Sequence, residues 1–242
     1  MQDWYYNELR HCGVNYADTA QAEIYEERHA QFRDFKAEYQ HMREFLSLED
    51  SKNLTMIDLG CGTGVLEQYA AKDFRKIYAV DISDVMLEQA KKKLAAQNIE
   101  NVELVQAGFL SYRHQGSPVD IVVTKAAFHH LPDFWKQIAL LNMNQMIKLG
   151  GMLYIFDVVF NFRPENYRER IGDWVSGFEQ RVGEQFSKEV KTHIRDEYST
   201  FGWILEGMLE QAGFKVEKAQ STDGFMTEYL CRKKNTLITN QV

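Results

Sequence analysis

The spacing of apolar residues changes along the chain, and each change marks a different element. From Asp18 to about Leu48, Phe32, Phe35, Tyr39, Met42 and Leu46 recur at three- and four-residue steps, which predicts one helix with a single apolar stripe. Asp18 or Thr19 is placed to cap its start, and the polar run Glu49-Asp50-Ser51-Lys52-Asn53 to end it. Short apolar runs then take over, and 54–59, 77–81, 102–106, 120–125 and 152–158 read as five strands. Helical segments separate most of them: about 64–72, Ser83 or Asp84 through Leu94, and about Asp133 to Ile147, the last closed by Lys148 and Gly150-Gly151. This alternation predicts an α/β fold, a doubly wound and mostly parallel sheet covered on both faces.

Residues 160–200 interrupt the alternation. They are charged and rich in aromatics (Phe160, Phe162, Tyr167, Trp174, Phe178, Phe186, Tyr198) and predict one or two helices outside the sheet. The alternation resumes with a helix over 201–212 and a stop at Gly213. Strands near Lys215–Ala219 and Phe225–Cys231, joined around Thr222-Asp223-Gly224, predict an antiparallel hairpin at the end of the sheet. Residues 1–17 carry Trp4, Tyr5, Tyr6 and Tyr16 without periodicity and are read as an arm packed on the body or an ordered flap. The expected organisation is an N-terminal arm and helix over 1–50, a core of 51–159 and 200–232, and a cap insertion of 160–199.

Composition narrows the classes of function. Hydrophobic residues at 45% and charged residues at 26% over 242 residues suit a globular chain with a sizeable core. The net charge of −7 argues against a broad phosphate-binding face, so nucleic acid is not an expected partner. No apolar run approaches the ~20 residues of a transmembrane helix, and the start of the chain lacks a basic segment followed by an apolar one. Cys12, Cys61 and Cys231 are odd in number and scattered, which fits a reducing cytoplasm and neither a disulfide framework nor a metal site.

The chemistry concentrates in Met56-Ile57-Asp58-Leu59-Gly60-Cys61-Gly62-Thr63-Gly64-Val65-Leu66, a strand, a turn stripped of side chains and a helix start. Glycines there admit positive φ and close approach of a ligand to the main chain, and the free amides of the helix start favour electron-rich groups. A dinucleotide turn follows G-x-G-x-x-G, which requires glycine where Val65 stands, so a nicotinamide-dependent oxidoreductase is disfavoured. Asp58, two residues ahead of Gly60, suits a ligand ammonium better than a pyrophosphate. Asp81 ends the second strand, where a carboxylate accepts hydrogen bonds from both ribose hydroxyls.

Together these segments resemble the class I S-adenosylmethionine-dependent methyltransferases, in their small-molecule form. Ile57 through Gly64 resembles the first motif of that family, Asp81-Ile82-Ser83 with Met86-Leu87-Gln89-Ala90 the second, and Asp120-Ile121-Val122 with Ala127-Phe128-His129-His130-Leu131-Pro132-Asp133 the fourth. Leu149 through Leu153 and Leu209-Ala212-Gly213-Phe214 resemble the later segments. The resemblance implies a Rossmann-like sheet of seven strands, the last antiparallel, with S-adenosyl-L-methionine as cofactor and S-adenosyl-L-homocysteine as product. It assigns Asp58, Gly60, Cys61, Gly62 and Gly64 to the methionine and ribose side, and Asp81, Ile82 and Met86 to the ribose and adenine. The third motif often gives an aspartate to the adenine amine. Gly108 stands there in this chain, so backbone groups or another residue must substitute, with Phe109 packing on the ring.

Methyl transfer from a sulfonium is an in-line displacement, and a hydroxyl or protonated amine acceptor also needs a base. His129 and His130 follow the fourth strand and serve either as that base or as loop-shaping residues. Lys125 faces the cleft or sits on its rim. Tyr25 and Arg28, one turn apart, close over the cofactor carboxylate or form an ordinary solvated face. Trp174, Tyr198 and their aromatic neighbours wall a substrate pocket or simply pack the cap, and the remaining histidines show no metal spacing. The expected activity is a cytoplasmic methyltransferase of a small, partly apolar or aromatic acceptor. Its rivals are an enzyme of quinone or lipid precursors at a membrane surface and a non-catalytic cofactor-binding module.

Overall fold

The computed structural model describes residues 3–9, 13, 26, 29–31 and 33–235. Tyr25 and Arg28, like Asp18, Thr19, Phe32 and Cys12, lie outside the described residues. The elements in chain order are α1 (Phe35–Phe45), β1 (Thr55–Leu59), α2 (Val65–Ala70), β2 (Lys76–Asp81), α3 (Asp84–Ala96), β3 (Val102–Gln106), β4 (Val119–Lys125), α4 (Asp133–Met146) and β5 (Ile147–Phe160). There follow α5 (Tyr167–Val182), α6 (Glu184–Asp196), β6 (Thr200–Phe201), α7 (Gly202–Gln211), β7 (Phe214–Thr222) and β8 (Met226–Lys233).

One sheet runs in the order β3-β2-β1-β4-β5-β8-β7, with the short β6 attached to β5. The pairings β1–β2, β2–β3, β1–β4 and β4–β5 are parallel, while β8 runs antiparallel to both β5 and β7. The chain therefore reverses its direction of winding between β1 and β4, which opens a crevice at their carboxyl ends.

Alternation along the strands explains the two layers. Ile57, Leu59, Val122, Leu153 and Ile155 share a core with Leu140 and Met143 of α4 and with Leu205 and Leu209 of α7. Their sequence neighbours Met56, Ile121, Val123 and Tyr154 join a second core with Tyr39, Met42 and Phe45 of α1. Successive strand side chains point to opposite faces, so runs that read as uniformly apolar bury both sides. No helix among the described residues is long and apolar enough to cross a membrane.

Three expectations require correction. The apolar stripe around residues 32–46 does not belong to one helix reaching back from Leu48 to Asp18: residues 30–31 form a turn, and α1 starts afresh after Asp34. The Asp34 side chain accepts the Ala37 N–H at 3.0 Å, a local N-cap the periodicity concealed. Second, β5 begins at Ile147 rather than Met152, passing through Gly150 at φ +76° beside a register shift against β4 at Val119/Ile121. Third, the interruption at 160–200 contributes β6 to the sheet as well as two helices.

Candidate functional site

The glycine turn is held by the strand beside it. The N–H groups of Gly60 and Cys61 donate to the Val80 carbonyl at 2.8 and 3.1 Å. Asp81 continues the clamp: Oδ2 accepts the Gly62 N–H at 2.7 Å and Oδ1 the Ser83 N–H at 2.9 Å. Burial raises the Asp81 pKa, an effect that its bonds from Ser83 and Gly62 partly offset. Gly60, Gly62 and Gly64 have φ of +82°, +55° and +74°. A Cβ on Gly60 would also overlap the Ala127 methyl across the crevice. Gly60→Ala is accordingly expected to lower stability by about 2–5 kcal/mol from left-handed strain and overpacking together. The check is the thermal unfolding midpoint, and an unchanged midpoint would refute this account of the turn.

A cavity opens over this turn at the carboxyl ends of β1, β2 and β4. Asp58, Gly60, Cys61, Gly62, Asp81, Ile82, Met86, Gly108, Phe109 and Lys125 all line it. Gly64 does not; it packs behind the wall, where a Cβ would come within 2.9 Å of the Ala90 Cβ. His130 lines the cavity and His129 does not. Trp174 and Tyr198 also lie away from it. Trp174 stacks on Phe225 with centroids 4.5 Å apart, and the Tyr198 backbone N–H donates to the His129 carbonyl.

Two charged groupings border the cavity near the turn. Asp58 and Glu67 are buried side by side, and Asp58 Oδ1 and both Glu67 carboxyl oxygens have no hydrogen-bond partner among the described residues. Burial first, and the neighbouring Glu67 second, push the Asp58 pKa well up. Opposite them Arg33 grips Glu38 with Nε and Nη2, both at 2.7 Å, and Lys125 Nζ reaches the same carboxylate at 3.0 Å. Although burial works the other way, these two cations hold the Glu38 pKa at about 2. The Lys125 side chain is 15% exposed, so it sits inside the cleft rather than on a free rim.

The adjacent histidines face different surroundings. His129 Nδ1 bonds to Asp157 Oδ1 at 2.5 Å, and its Nε2 lies 3.4 Å from Glu197 Oε2. Glu197 also ion-pairs with His193. Burial opposes a charge on His129, but the Asp157 and Glu197 carboxylates outweigh it and raise the pKa. At His130 burial first and the neighbouring His129 charge second outweigh the same Glu197 and Asp157 carboxylates and lower the pKa to about 3, so its imidazole is neutral near pH 7. Ligand-type atoms of His129, His130 and Glu197 lie within 4.8 Å of one another, a grouping that the scattered positions 129, 130 and 197 concealed. The ion pair between His129 and Glu197 holds two of the three together.

Among the wall residues that the sequence did not assign to the site, Tyr6 and Glu8 come from the aperiodic arm, and Arg33 and Glu38 flank the start of α1. The Arg33–Glu38 spacing and the Asp34 cap carry a legible signal; nothing in the arm's pattern marks Glu8.

The strand order, the crevice and the glycine turn define a Rossmann-like methyltransferase fold. Comparison with solved structures agrees. An S-adenosylmethionine-dependent methyltransferase from Clostridium acetobutylicum superposes with a TM-score of 0.66 at 14% identity, covering 89% of this chain and 98% of that one. One from Aquifex aeolicus gives 0.61 at 19% identity, with the same coverage of 89% and 98%. An uncharacterized methyltransferase of Geobacillus kaustophilus is 26% identical over 190 residues, which are 78% of this chain and 81% of its own length. Residues 56–151 match the family model described as a methyltransferase domain. These likenesses support a class I S-adenosylmethionine-dependent methyltransferase.

Proposed function

We propose that this protein transfers a methyl group from S-adenosylmethionine to a small-molecule acceptor with a partly apolar surface. One observation carries the reading: a single cavity combines the positive-φ glycine turn, the unpartnered buried Oδ1 of Asp58 and the clamped carboxylate of Asp81. An orphaned buried acceptor calls for a donor, and a ligand ammonium meets that need at Asp58. Asp81 has remaining lone pairs for ribose hydroxyls, and Ile82, Met86 and Phe109 offer apolar flanks for a base. Arg33 and Lys125 supply positive charge for the ligand carboxylate.

When bound, the cofactor supplies a methyl group already activated on a sulfonium. The protein's work is orientation and the exclusion of water, which is worth roughly 7–11 kcal/mol in favourable systems. Tyr6, Phe35, His130 and Leu131 also line the cavity and are assigned to the acceptor. With a pKa near 3, His130 orients the acceptor through a hydrogen bond and is a weak base. The site therefore favours nucleophiles that carry a free lone pair at neutral pH.

Titration calorimetry with S-adenosylmethionine, S-adenosylhomocysteine and NAD tests the cofactor. The first two are expected to bind and NAD to give no heat; binding of NAD alone overturns the reading. Methyl-labelled cofactor incubated with small-metabolite fractions tests transfer. Saturable binding with no labelled product in any fraction would favour a binding module over an enzyme.

A further inference from the structure

The cavity holds four acidic side chains: Glu8, Glu38, Asp58 and Asp81. Three of them have clear work. Glu38 is paired with Arg33 and Lys125, Asp58 stands at the root of the glycine turn, and Asp81 clamps the turn amides. Glu8 alone comes from the N-terminal arm, and it meets the body at Gly108. A Cβ on Gly108 would overlap Glu8 Oε2 and lie 2.7 Å from its Cδ and 2.9 Å from Oε1. The Glu8 carboxylate thus fills the volume that any side chain at position 108 would occupy. Glu8 Oε2 accepts the Leu110 N–H at 2.7 Å, which fixes the group.

The arm just ahead of Glu8 is anchored to the body at several points. Tyr5 OH donates to the Leu110 carbonyl at 3.4 Å and Tyr6 OH to the His130 carbonyl at 3.3 Å. Trp4, Tyr5 and Tyr6 gather on Trp135, with centroid distances of 6.4, 4.9 and 6.0 Å. Burial is also the largest influence on the Glu8 carboxyl and raises its pKa, as expected for a largely buried acid.

We infer that Glu8 recognises the nucleobase, its carboxylate accepting a hydrogen bond from the exocyclic amine of adenine. This rests on the reading that the cavity holds an adenosyl cofactor. A ribose held at Asp81 directs the base away from the glycine turn, toward Ile82, Met86 and Phe109, and the Glu8 carboxylate, bonded to Leu110 and set against Gly108, lies on the same wall beside Phe109. Adenine presents an N–H donor there, whereas hypoxanthine presents a carbonyl oxygen that a carboxylate repels. Specificity for the base is then delivered by the arm, and glycine at 108 is the vacancy that admits it.

The test compares binding of S-adenosylhomocysteine and its deaminated analogue S-inosylhomocysteine to the full chain. A hydrogen bond to a charged group is worth a factor of about 10–100 in affinity, so the wild type should prefer the adenosyl compound by that factor. Glu8→Ala should lose that preference by binding the adenosyl compound about 10–100-fold more weakly. Glu8→Ala/Gly108→Asp, which returns a carboxylate from the body of the protein, should regain part of it. Circular dichroism and thermal unfolding verify that each variant is folded. If Glu8→Ala keeps the wild-type preference, with affinity unchanged or lowered equally for both compounds, the assignment is overturned while the cofactor reading stands. If the wild type binds neither compound, the cofactor reading falls and takes the assignment with it.

Discussion

Asp81→Ala is expected to weaken S-adenosylhomocysteine binding by at least about 100-fold, the largest functional effect of any single change in the cleft. Its carboxylate is one object with two loads. It holds the Gly62 and Ser83 amides at 2.7 and 2.9 Å, and on the proposed reading it also accepts from the ribose. Hydrogen bonds to a charged partner contribute about 1.5–3 kcal/mol each, so losing two of them costs a factor of about 10² to 10⁴. Asp81→Asn keeps one acceptor and turns an amide donor toward the other N–H, so it should fall between wild type and alanine. Burial raises the Asp81 pKa, so binding should also weaken as pH falls, earlier than an ordinary carboxylate would dictate. Calorimetry over a pH series that descends from neutrality into the ordinary carboxylate range reads both effects. Wild-type affinity in the alanine variant would refute the proposed role of Asp81.

The largest effect on stability is expected from Asp157→Ala, away from the cavity wall. Oδ2 of Asp157 accepts the N–H groups of Phe128 and His129 at 2.7 and 3.2 Å. Oδ1 takes the His129 ring at 2.5 Å and the Val158 N–H at 2.7 Å. The whole turn after β4 hangs on this side chain, which is 2% exposed. Removing one partner of a buried pair costs about 3–5 kcal/mol, and for a chain of this size that lowers the unfolding midpoint by roughly 6–20 °C. The pH dependence has a definite sign. Asp157 is held at about 2 by His129, so its contribution is complete above the unfolded carboxylate value and is lost as pH falls toward 2. His129 is raised, so its share is complete below the usual imidazole value and is lost as pH rises through the raised one. Wild-type stability should therefore exceed that of Asp157→Ala most between about pH 4 and 7. A constant difference across that range and below pH 3 would refute the ion-pair account.

Much of the fold was legible because its signals are local. Strand runs bounded by polar turns gave β1 to β4, and Gly213 and Thr222-Asp223-Gly224 marked out the hairpin of β7 and β8. The cleft residues of the glycine turn were also legible, since G-x-G-x-G constrains the backbone directly. Gly64 was the exception. It meets the same positive-φ demand but spends it on packing against α3, a distinction invisible in spacing. His129 and His130 show the same limit. Neighbours on a short 3-10 turn, they face an ion-pair network and a cavity respectively, and only the remote Asp157 and Glu197 decide which is which. The aromatics of 160–200 were readable as apolar but not as to their target. Trp174 stacks on Phe225 of the distant hairpin, so it packs the cap onto the hairpin instead of walling the cavity. The arm offered no period at all, and Glu8 emerges only from the steric requirement at Gly108.

The position of β8 has a consequence for how this chain is made. Because β8 inserts between β5 and β7, the backbone of β5 keeps an open flank until β8 arrives. That flank is an apolar run including Leu153, Tyr154 and Ile155, each at most 1% exposed once the fold is complete. The Lys233 ammonium, donating to the Asn144 and Ile147 carbonyls at 2.6 and 2.7 Å, fastens the end of β8 to the start of β5. During synthesis, or in any chain shortened before residue 226, β5 is thus an unpaired sticky edge of the kind that recruits other strands. Pairing with β8, a strand more than 60 residues further along the chain, is what closes that edge.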